Sequence, residues 1–136
     1  MPREMPSTVD KLEIAELLSR YCFAVDFRGF DDLYRVFAPD FKAAYRLGSM
    51  GLEDVVLGSA SEAIEWLRSS LGQGEPKPRH ALVNHVVEVK GDRATSRSYL
   101  AGGSGLYEAE FRRDGDGWRM SALEMRTFSK TVPDLR

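Results

Sequence analysis

HALVNHVVEVKGDRATSRSYL, residues His80 to Leu100, is where the periodicity of the chain changes and where its class is decided. Upstream, apolar residues return every three or four positions. From His80 onward they alternate or run together between turn residues, the pattern of strands. Lys90-Gly91-Asp92 reads as a tight turn, Gly102-Gly103-Ser104-Gly105 as a glycine-rich bend, and Asp114-Gly115-Asp116-Gly117 as a second tight turn. The spacing predicts four strands, ALVNHVVEV, RATSRSYLA, LYEAEFRR and WRMSALEMRTF, joined largely by hairpins into an antiparallel meander.

The same stretch holds both histidines of the chain, His80 and His85. Their separation is odd, and side chains alternate faces along a strand, so two ligands of one metal are not expected. On that parity His80 shares a face with Leu82, Asn84 and Val86, whereas His85 shares the other with Val83, Val87 and Val89. His85 is assigned no chemistry. From the residues alone, His80 is either a strand histidine with a satisfied hydrogen bond or a base.

Toward the N-terminus, Leu12, Ile14, Leu17, Leu18, Tyr21, Cys22 and Val25 recur at helical spacing after a Ser7 or Thr8 cap, with Gly29 as the stop. Asp26 lies beside this apolar stripe, at the edge of the buried face near the helix end; taken alone it is a solvated acid. FDDLYRVF predicts a short second helix closed by Ala38-Pro39-Asp40. Residues 41 to 58 read as a strand and a short partner, and SASEAIEWLRSSLG as a helix capped by Ser59 or Ser61 and ended at Gly72-Gln73-Gly74. The expected architecture is therefore α+β, with helices packed on one face of a curved, mostly antiparallel sheet.

The composition agrees with one domain over residues 1–136, residues 1–7 forming a loose N-terminal arm. With 43% hydrophobic and 29% charged residues the chain is an ordinary globular one. A net charge of -2 and a pI near 5.7 leave no basic field for nucleic acid. No signal-type or membrane-spanning apolar run is present in these residues, and a lone Cys22 cannot form an internal disulfide, so a cytoplasmic location is expected. One cysteine and two opposed histidines make no standard zinc shell, and Gly102-Gly103-Ser104-Gly105 lacks the lysine and helix of a phosphate-binding loop. No metal and no cofactor are expected.

EIAELLSRYCFAVDFRGFDDLYRVFAPDF, with PRHALVNHVVEVKGDRATSRSYL and GLYEAEFRRDGDGW, resembles the SnoaL-like branch of the nuclear transport factor 2-like superfamily over nearly the whole chain. The resemblance implies a cone, in which a strongly bent sheet wraps around the N-terminal helices and leaves an apolar pocket at the wide end. It is nearest in style to scytalone dehydratase and hexachlorocyclohexane dehydrochlorinase, where an Asp late in the first helix pairs with a His at the start of a strand. Those positions are Asp26 and His80 here. The dehydratase has a further histidine on a later strand; this chain has none after His85, and Ser104 stands near that place.

The resemblance thus implies that His80 acts as general base and Asp26 orients it. Tyr45 matches a pocket tyrosine of the dehydratase, and Asn84, Tyr107, Tyr21 and Trp66 are further candidates for the pocket wall. The expected function is a cofactor-independent lyase or isomerase: a dehydratase, cyclase or double-bond isomerase acting on a small apolar cyclic or polyketide-like molecule. The alternative is a non-catalytic small-molecule-binding or assembly module of the same fold. A homodimer or homotrimer formed through the outer sheet face is expected, with neither nucleic acid nor membrane as partner.

Overall fold

The computed structural model describes residues 4–75, 80–101, 104–115 and 117–128. Helix α1 spans Glu4–Asp26 and is followed by a 3₁₀ helix, Phe30–Arg35. Strand β1 (Phe37–Arg46), a 3₁₀ turn (Gly48–Met50), strand β2 (Val55–Leu57) and helix α2 (Ala60–Leu71) come next. Strands β3 (Leu82–Lys90), β4 (Arg93–Leu100), β5 (Gly105–Asp114) and β6 (Gly117–Thr127) complete the order. They form one six-stranded sheet in the order β2-β1-β6-β5-β4-β3. The fold is α+β, and the meander expected from the turn residues is present.

Several local expectations shift when the tertiary contacts act. Helix α1 begins at Glu4, so Ser7 and Thr8 lie inside it rather than capping it, and residues 4–7 are helical rather than part of an arm; residues 1–3 lie outside the described residues. The helix stops through Arg28, at φ 60, not through Gly29 at φ -87. Arg28 is held there as its Nη2 donates to the Gly74 carbonyl at 2.8 Å. Leu12, placed in the inward stripe by spacing, is 68% exposed. Pro39 does not close the segment before β1 but sits within it, where the register with β6 shifts between Phe37 and Lys42. Proline lacks a donor, and an irregular stretch is where a strand tolerates it.

Other elements form as their residues dictate. Ser59 caps α2: its Oγ accepts from the Glu62 backbone N–H at 3.1 Å, and the Glu62 carboxylate reaches back to the Gly58 N–H at 3.4 Å. Gly91 and Gly115, at φ 60 and 66, supply the left-handed residues of the β3–β4 and β5–β6 hairpins. The bend before β5 falls partly on Gly102 and Gly103, outside the described residues.

The core lies between the helices and the inner sheet face. Ile14, Leu18 and Val25 of α1 and Ile64 and Leu67 of α2 meet Phe37, Phe41, Phe111, Trp118 and Met120 of the sheet, all 3% exposed or less. Strand β1 pairs with β6 in parallel and with β2 antiparallel. This bridging makes the sheet mixed and leaves β3 as an edge strand, its leading end beside α1.

Candidate active site

The last turn of α1 delivers Asp26 to the chain just ahead of β3, where His80 precedes the first paired residue, Leu82. Asp26 Oδ2 accepts the His80 backbone N–H at 2.7 Å, and Asp26 Oδ1 lies 2.6 Å from His80 Nδ1. One carboxylate therefore fixes both the backbone and the ring of the same residue. A carboxylate only accepts, so Nδ1 carries the hydrogen while Asp26 is ionised, and Nε2 is left with a lone pair. The Asp26 side chain is 9% exposed and that of His80 21%, so the pair is screened from water without being sealed.

An open groove of 320 Å³ runs along the pair. Helix α1 contributes Ser19, Cys22, Phe23 and Asp26, with Phe27 in the turn just past it continuing the stripe, and the chain entering β3 contributes His80, Ala81 and Leu82. Phe23 and Phe27 were not singled out by the sequence. Their signal was a pair of phenylalanines one turn apart flanking Asp26 in FAVDF. Burial and the neighbouring Asp26 charge push the Cys22 thiol up to about 12, so it is an apolar neutral wall rather than a nucleophile.

The four predicted aromatic residues are brought together, but as packed core beneath the dyad rather than as walls of this groove. Tyr21, Tyr45 and Tyr107 are each 2% exposed, and Trp66 is half-buried. The Tyr21 and Tyr45 hydroxyls share a hydrogen bond at 2.9 Å. The Tyr21 ring meets Tyr107 edge-on at 6.1 Å, and Tyr45 meets Trp66 at 4.6 Å. Burial raises all three tyrosine hydroxyls above their ordinary range, which keeps them as hydrogen-bond donors. Asp26 and Cys22 lie close enough to Tyr107 to add to its shift.

Asn84 stands in a bulge of β3 and does not line the groove of the dyad. Val83 pairs with Tyr99 and Val86 with Arg97, so Asn84 and His85 both stand opposite Ser98. Asn84 takes φ 61, a conformation that asparagine tolerates better than most side chains. The extra residue resets the alternation. His85 Nδ1 lies 2.6 Å from Ser98 Oγ, and Ser98 is in register with Tyr107 of the core. His85 therefore meets the inner face instead of turning away from it, contrary to simple parity. Asn84 and His85 line a separate depression with Arg97 and Tyr99.

A family model for the SnoaL-like domain matches residues 6–124. This chain belongs to the SnoaL-like family. A Mycobacterium tuberculosis relative described as uncharacterized is 39% identical to this SnoaL-like protein over 90% of the chain and 89% of its own length. The Kfla4162 protein of Kribbella flavida is 27% identical, superposes with a TM-score of 0.71, and matches across 89% of this chain and 92% of that one. A nuclear transport factor 2-like protein with a cystatin-like fold from Novosphingobium aromaticivorans is 21% identical with a TM-score of 0.74, over 95% and 88% of the two chains. The curved sheet around N-terminal helices is the fold of this superfamily. No helix among the described residues of this SnoaL-like domain is long and apolar enough to cross a membrane.

Proposed function

We propose that this SnoaL-like protein is a cofactor-independent lyase or isomerase, a dehydratase, cyclase or double-bond isomerase of a small apolar cyclic or polyketide-like molecule. His80 acts as the base and Asp26 orients it. The observation that carries this is the double attachment of His80 to Asp26, at 2.6 Å through Nδ1 and 2.7 Å through the backbone. Nε2, which has no hydrogen-bond partner among the described residues, removes a proton from a carbon next to a carbonyl or leaving group. The imidazolium that forms is stabilised by the Asp26 carboxylate. Tyr21, Tyr45, Tyr107 and Trp66 serve this site from behind, packing the floor against which α1 and β3 hold the dyad, and Asn84 stands further along β3.

The test is deuterium incorporation from heavy water into the carbon next to the carbonyl of cyclic ketones, with wild type and His80→Gln. A loss of about 10²-fold or more in the variant is expected; equal rates in the two proteins would remove His80 as the base.

The filled interior around Tyr21, Tyr45 and Tyr107 favours a second reading, a non-catalytic binding or assembly module. Retained ligand affinity with no turnover in wild type supports it. In either case we propose a cytoplasmic homodimer or homotrimer formed through the outer sheet face, where Val56 and Val86 are 69% and 58% exposed beside a depression of 720 Å³. Mass measurement in solution distinguishes dimer, trimer and monomer.

A further inference from the structure

We infer that Phe23 and Phe27 are specificity-determining residues that select a flat aromatic or conjugated ring, taken face-on against the phenyl pair in the His80 groove. The inference deepens the reading of this groove as the reaction site and rests on it.

Phe23, on α1, and Phe27, in the turn just past its end, are left 64% and 66% exposed beside a helix whose other large residues are mostly buried. Their rings lie 5.9 Å apart with an interplanar angle of 8°, so they present nearly parallel surfaces on the stripe that carries Asp26. Helix stability does not explain Phe23, because phenylalanine is a poorer helix former than the charged residues ordinarily found on such a face. Both line the groove that holds His80.

The remaining walls define the chemistry of the occupant. Cys22, Ala81 and Leu82 are apolar surfaces, and Ser19 adds one hydroxyl. The one carboxylate among the described residues lining the groove, Asp26, is already bound to His80. Among the described residues that line the groove the surfaces are otherwise apolar, and a neutral substrate loses little on entering. A planar ring gains stacking or edge contacts with both phenyl groups, whereas a puckered saturated ring touches them at fewer points. The groove volume of 320 Å³ lies at the small end of ligand sites, consistent with a molecule of two or three fused rings.

The probes are β-tetralone, which carries a flat benzo ring, and its saturated counterpart β-decalone. Affinities are measured by NMR titration of the full chain for wild type, Phe23→Ala, Phe27→Ala, Phe23→Leu and His80→Gln, with circular dichroism to confirm folding and sedimentation to record mass. Wild type is expected to prefer β-tetralone. Each alanine variant should weaken it about tenfold, and Phe23→Leu should keep bulk yet lose much of the preference. His80→Gln should bind β-tetralone as wild type does while its deuterium exchange is lost. The inference is overturned if wild type binds neither ketone, binds both equally, or if the alanine variants bind unchanged. It is also overturned if those variants only convert a larger species to a smaller one, which makes the pair a subunit contact. Ring-selective binding without exchange in wild type leaves the phenylalanine wall standing and removes the proposed proton transfer instead.

Discussion

His85 Nδ1 lies 2.6 Å from Ser98 Oγ on the neighbouring strand. A regular β3 would turn His85 away from Ser98; the bulge, in which Asn84 adopts φ 61, brings them together. A β-branched side chain is strained in that region of backbone space. Asn84→Val is expected to lose about 1–2 kcal/mol, and Asn84→Gly to stay close to wild type. Denaturant midpoints compare the two, and the His85 ring signals should move only in the valine variant.

Asp26→Asn tests the orientation of His80. The carboxylate can only accept, whereas an amide can present an N–H to Nδ1 and favour the opposite tautomer. In wild type the neutral His80 ring should carry its hydrogen on Nδ1, seen by ¹⁵N NMR. In the variant the Nε2–H form should grow and proton exchange should fall about 10²-fold or more. An unchanged tautomer with unchanged exchange would count against Asp26 as the orienting group.

Trp118 is 1% exposed, and its Nε1 donates to Asp10 Oδ1 at 3.0 Å. Arg113 reaches the same carboxylate and lies over the indole at 4.6 Å. Asp10→Ala therefore leaves the indole N–H without its acceptor. A cost of about 1–3 kcal/mol is expected, read as a lower urea midpoint, with Asp10→Asn recovering most of it.

The Ser59 hydroxyl satisfies the Glu62 N–H at the start of α2. Ser59→Ala should cost about 1 kcal/mol, and Ser59→Asp should restore the cap. Thermal melts of the three proteins check this.

Alkaline stability follows from buried groups that hold their protons. Burial, then the Asp26 charge, pushes the Cys22 thiol up to about 12, and Tyr21, Tyr45 and Tyr107 are raised as well. In the unfolded chain a thiol ionises near about 8.5. The folded state therefore binds the proton more tightly. Its contribution is fully present below the unfolded value and is lost as pH rises toward the folded one. Stability should fall from about pH 9 to pH 11, with the tyrosinate absorbance of the buried Tyr21, Tyr45 and Tyr107 appearing together with unfolding rather than before it. Cys22→Ala should make the fall shallower.

The amino-acid sequence by itself determined the order of the elements, the hairpin turns at Gly91 and Gly115, the Ser59 cap and the identity of the Asp26–His80 pair. Turns and caps depend on the conformational preferences of a few adjacent residues, and the pair stood out through the family resemblance carried by its flanking motifs. Only the tertiary structure decided the parallel pairing of β1 with β6, the left-handed Arg28 and the burial of Tyr21, Tyr45 and Tyr107. It also decided which way His85 and Asn84 face, because one inserted residue reverses every alternation inferred before it. The Phe23 and Phe27 groove was hidden for a related reason: periodicity separates one helix face from another, but whether a face is left open depends on which distant strand packs beside it.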